Sequence, residues 1–83
     1  MKDIDELTTE QIDAIVEYAA GFRKSDRIAS VFGVTEEKVK DAIDRTDFIR
    51  RAEDLPAEEN GMGYEDEDAF DNLIAELASE ILA

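Results

Sequence analysis

The sequence predicts an all-α protein, a small bundle of four to five short helices containing a helix-turn-helix. Three observations predict it. Apolar residues recur at helical spacing from Ile12 to Leu82, and no stretch sustains period-2 alternation. Turn-forming residues punctuate the pattern at Gly21, Gly33, Pro56 and Asn60-Gly61-Met62-Gly63. The chain has 83 residues, one small domain. A chain of this size buries roughly 60–65% of its unfolded surface, so its core is thin.

The first helix starts at Leu7-Thr8-Thr9-Glu10-Gln11-Ile12. The Thr8 hydroxyl is placed to accept from the Gln11 backbone N–H while Gln11 reaches back, a capping box, and Leu7 and Ile12 take the staple positions. Ile12, Ile15, Val16 and Ala19 follow on one face, and Gly21 suits the left-handed end, giving a helix over about 9–20. Lys24 or Ser25 opens a second helix carrying Ile28, Ala29, Val31 and Phe32, which Gly33 ends. Thr35 caps a third, with Glu36 and Glu37 in the dipole-favoured first turn and Val39, Ala42 and Ile43 as its buried stripe. Thr46-Asp47 restarts or continues a helix with Phe48, Ile49, Ala52 and Leu55, which stops before Pro56. The last segment, 65–82, places Phe70, Leu73, Ile74, Leu77, Ala78, Ile81 and Leu82 on one amphipathic face. Its early acids suit the helix dipole, while Glu76 and Glu80 oppose it. Tyr18, Phe22, Met62 and Tyr64 read as core or edge residues.

Residues 25–44 fit a helix-turn-helix. Ala29 is the small residue where two helices cross, Gly33 tolerates positive φ in the turn, and Val39 packs back on the first helix. In such a motif the second helix enters the major groove and the first begins over phosphates. Arg23, Lys24, Ser25 and Arg27 cluster at that phosphate end, with Arg45, Arg50 and Arg51 further along. The outward face of the second helix carries Glu36, Glu37, Lys40, Asp41 and Asp44, and carboxylates there repel phosphates.

Charge divides the chain. Residues 1–53 hold all nine bases and 13 acids, whereas residues 54–83 hold ten acids and no base, for a net charge of −14. The division reads as a helix-turn-helix domain at 1–55, a linker at 56–64 and an acidic amphipathic helix at 65–83. Glu65, Asp66, Glu67, Asp68, Asp71 and Glu76 form a candidate partner-binding face. That face is a plain solvated surface, an imitation of phosphates aimed at a basic groove, or a brake folded over the basic cluster. The apolar stripe of the helix packs in cis or pairs with another copy.

Several function classes are excluded. The chain has no Cys and no His, so it has no disulfide, no thiolate zinc site and no imidazole base. Ser25, Ser30 and Ser79 have no His to activate them. Asp66-Glu67-Asp68 lacks the later ligands and glycine of an EF-hand loop, so no metal or other cofactor is expected. The first residues lack a signal peptide's pattern and no apolar run approaches a membrane span, which predicts a cytoplasmic protein with no membrane role.

The arrangement of residues 7–55 resembles the N-terminal domain of phage terminase small subunits. The likeness rests on Leu7-Thr8-Thr9-Glu10-Gln11, on Ile15-Val16-Glu17-Tyr18, on Gly21 and Gly33, and on the returning segment Thr46-Asp47-Phe48-Ile49. The resemblance implies a domain that recognises viral DNA for packaging, followed by a helical region that assembles a ring. It would make Arg23, Lys24 and Arg27 phosphate contacts and place Lys38, Lys40 and Arg45 on or beside the recognition helix.

Two non-catalytic functions follow. One is a DNA-recognition module of this kind, acting as an oligomer through its last helix. The other is an acidic inhibitor or adaptor of phage or mobile-element origin that occupies a basic groove of a nucleic-acid-handling protein.

Overall fold

A computed structural model describes residues 3–59, 61 and 63–83. A short 3-10 turn (Ile4–Glu6) precedes five helices: α1 (Thr9–Glu17), α2 (Ser25–Phe32), α3 (Glu36–Thr46), α4 (Phe48–Asp54) and α5 (Glu67–Leu82). The capping box forms as the sequence predicts. Gln11 N–H donates to the Thr8 hydroxyl at 3.1 Å and Thr8 N–H to Gln11 Oε1 at 2.9 Å. The Gln11 amide also donates to the Val31 carbonyl at 3.2 Å, tying α1 to α2.

Regular α-helix stops at Glu17 rather than residue 20. A wider π turn, Tyr18–Phe22, follows, and the chain reverses through Gly21 (φ 112°) and Arg23 (φ 53°). A left-handed conformation costs a non-glycine residue about 1–2 kcal/mol. Arg23 offsets this with its guanidinium, which lies 5.3 Å from the Tyr18 ring centroid, donates to the Tyr18 carbonyl and reaches Glu53 at 3.7 Å. The turn leaves Phe22 66% exposed, so it is not the core or edge residue its type predicted. Tyr18, by contrast, is buried.

Gly33 (φ 68°) turns the chain between α2 and α3. Val34 N–H donates to the Ala29 carbonyl at 3.0 Å, and Lys38 N–H to the Thr35 hydroxyl at 3.2 Å. Ala29 and Val39 are buried where the two helices meet. Asp47 (φ 53°) breaks the helical run, so α4 restarts rather than continues α3. Thr46, the one buried polar side chain among the described residues, donates its hydroxyl to the Ala42 carbonyl at 2.9 Å.

The described residues of the expected linker fold back on one another. Glu58 N–H donates to the Gly63 carbonyl and Glu65 N–H to the Pro56 carbonyl, each at 2.9 Å, around an isolated bridge between Ala57 and Tyr64. Asn60 and Met62 lie outside the described residues. Tyr64 stacks on Phe70 with centroids 4.2 Å apart.

Asp66 caps α5 by accepting from Ala69 N–H at 3.0 Å. Phe70, Leu73, Ile74, Leu77, Ala78 and Ile81 then enter the same core as Ile15, Ile28, Val39, Ile43 and Phe48, with α5 packed on α3 and α4. The apolar stripe of the last helix is therefore spent in cis, and only Leu82 of its large apolar side chains stays exposed. The Cα radius of gyration, 11.8 Å, is that of a fully packed chain of this length, about 12 Å. Residues before 56 and after 64 thus share one buried core across the change of charge. No helix among the described residues is long and apolar enough to cross a membrane.

Candidate functional site

The bases expected to contact phosphates are mostly committed within the chain. Arg23 is held by Tyr18 and Glu53, and Arg27 reaches Glu17 at 3.5 Å. Lys40 lies 3.8 Å from Glu36 on its own helix, and Arg45 bonds Glu80 at 3.2 Å. Arg50 joins Asp47 and Asp54 across α4. Arg51 donates to Glu76 and to the Thr46 carbonyl, binding α4 to α5. Ser25 is the half-buried first residue of α2. Lys24 and Lys38 alone of the described bases have no ion-pair partner among the described residues. These partly exposed bridges contribute about 0–1 kcal/mol each to stability. Their larger effect is on the outward field, because each neutralises a cation.

The acids divide differently. The bridges use seven of the 23 acids, and the other 16 have no ion-pair partner among the described residues. Glu76, expected on the partner-binding face, instead turns to Arg51, and Glu80 turns to Arg45. These are the two acids placed unfavourably for the α5 dipole, and each has a guanidinium as compensation. Glu65, Asp66, Glu67 and Asp68 remain outward and exposed, although Asp66 is also the cap of α5.

Two clefts flank the 56–65 loop and share Glu67. One is a shallow acidic hollow bordered by Glu58, Glu65, Asp66, Glu67 and Asp68 over Leu55 and Pro56. The other, about 470 Å³, has apolar walls from Val16, Ala20, Ala57, Tyr64 and Phe70, with Glu67 and Asp71 at its edge. Nothing in the residue pattern signals this second cleft. Val16 fits the core stripe of α1 by spacing, yet it stays 38% exposed and faces the cleft. Asp5, from the turn that packs against α5, adds a further carboxylate beside Asp71. Among the described residues no group of three or more carboxylates converges closely enough to hold a metal ion.

No protein-family model, curated protein or solved structure matches this chain.

Asp71 reports the charge crowding at this end. Partial burial raises its carboxyl above the usual carboxylate value, and repulsion from Asp68, Glu67 and Asp5 adds to the rise. A carboxyl that holds its proton more tightly when folded than when unfolded destabilises the fold once it is ionised. Asp71→Asn is therefore expected to melt above the wild type at pH 7. The gap should narrow as pH falls through the carboxylate range, where wild-type Asp71 takes up its proton. Thermal melts of the two proteins at pH 7 and within the carboxylate range, about pH 4, check this, and an Asn variant that melts lower at pH 7 refutes it.

Proposed function

We propose that this chain is a non-catalytic acidic binding module that occupies a basic groove of a nucleic-acid-handling protein. One observation carries the reading: intramolecular bridges leave two lysines free against 16 acids among the described residues. The net charge stays at −14, and the bridges leave few local patches of positive potential on the surface. Seven of those 16 lie between Glu58 and Asp71, in the part of the chain that has no base, Glu65, Glu67, Asp68 and Asp71 among them. Complementary charge of this kind steers encounter and selects partners.

The test uses the full chain at low salt, with labelled oligolysine and labelled duplex DNA as probes. The expected result is salt-sensitive binding to oligolysine and none to DNA. Paired Glu65→Lys and Asp68→Lys should weaken binding more than Asp41→Lys with Asp44→Lys, which changes net charge equally on α3. Equal losses would reduce the effect to net charge and remove the proposed face.

The second reading is the viral DNA-recognition module that residues 7–55 resemble. It is supported by the short glycine turn between α2 and α3 and by free Lys24 and Lys38. Duplex binding with a steep salt slope, lost in Lys24→Ala with Lys38→Ala, would favour it over the first.

A further inference from the structure

We propose that the cleft between the end of α1 and the start of α5 is the docking site for a basic amphipathic protein segment. One apolar side chain would enter between Val16, Ala20 and Tyr64, and its flanking Lys or Arg would lie on Glu67 and Asp71. The inference rests on the acidic-module reading and names its partner and its seat.

The cleft has the volume and lining of a binding pocket. Such sites run to about 300–1,000 Å³, with mostly apolar walls and a few placed polar groups. This one is about 470 Å³, and its two carboxylates stand one helical turn apart on α5. Its aromatic wall is already built, because Tyr64 is held against Phe70 with centroids 4.2 Å apart. A preformed wall reduces the ordering cost of binding. Neither Glu67 nor Asp71 has an ion-pair partner among the described residues, and Asp5 and Asp68 crowd Asp71 further. An incoming cation would relieve that repulsion.

Charge selects the occupant. A phosphate backbone would be repelled by the same carboxylates. A second copy would bring its own −14 to the contact. A plain polycation would satisfy the rim and leave the apolar walls wet. A cationic segment with an apolar anchor satisfies both.

The test compares two labelled peptides of equal length and charge on the full chain. One places Leu and Phe at helical spacing among lysines, and the other has Ser at those positions. The expected result is at least about tenfold tighter binding of the amphipathic peptide, the usual scale of one buried anchor. Ala20→Arg, which puts a bulky cation at the cleft mouth, should abolish that preference. Val16→Gln should reduce it, and far-ultraviolet circular dichroism establishes that both variants keep their helices.

Equal affinity for the two peptides, or a preference that survives both substitutions, overturns the cleft as the site and leaves the acidic-module reading standing. Failure of both peptides to bind at low salt overturns both. A dimer in sedimentation that Ala20→Arg converts to a monomer would make a second copy the occupant, and that also overturns the proposal.

Discussion

A chain ending at residue 55 is expected to lose its helical circular-dichroism signal at room temperature, although it retains α1 to α4. Six of the 17 residues of the buried core lie on α5: Phe70, Leu73, Ile74, Leu77, Ala78 and Ile81. Burying each of the five large ones is worth about 1.5–3 kcal/mol, or roughly 7–15 kcal/mol together. A whole domain is stable by only about 5–15 kcal/mol. Truncation also strips Arg45 and Arg51 of their carboxylates and uncovers Val39, Ile43 and Phe48 on the remaining helices. The loss thus falls on both sides of the α3–α5 contact. A cooperative thermal melt from the 1–55 chain would contradict this, and it would make the acidic helix an accessory rather than a third of the core.

Much of the fold was legible because its signals are local. The Thr8–Gln11 box, the Thr35 cap, the Gly33 turn and the stop before Pro56 each depend on residues within four positions of one another. The spacing from Phe70 to Ile81 likewise set the buried face of α5 without reference to what covers it. The π turn at 18–22 was not legible, because it depends on Arg23 reaching back to Tyr18 and across to Glu53. Phe22 departs from its expected burial for the same reason: residue type describes what a side chain favours, and the turn decides where it points.

The candidate site was legible in its charge and not in its geometry. The base-free stretch after residue 53 showed that carboxylates would dominate one end. Which bases stay free is a tertiary question, because Arg45 and Arg51 find their partners 35 and 25 residues away on α5. The apolar cleft is tertiary too, assembled from α1, the π turn, described residues of the loop before α5 and the first turns of α5. The mixed-charge half of the chain therefore contributes little positive surface. Arg45 and Arg51 tie α5 down, and two of the acids left without a partner, Glu67 and Asp71, edge the cleft.

The second large effect is expected at Phe48. Its ring is fully buried, directly after the left-handed Asp47, and it meets the Tyr18 ring at 6.4 Å and 56°. The sharp break at Asp47 gives this position its burial, since it starts α4 with the ring turned into the core. Phe48→Ala removes a large side chain where neighbours cannot collapse fully, at a cost of about 3–5 kcal/mol. For a domain this small, that lowers the melting temperature by roughly 12–40 °C. Phe22→Ala is the matched comparison: the same residue types change at a position 66% exposed, and stability should stay within about 0.5 kcal/mol of wild type. Parallel thermal melts of the two variants decide the matter. Similar losses in both would mean that Phe22 is buried in solution and that the turn at 18–22 closes differently; a small loss in both would mean that α4 does not pack where Asp47 directs it.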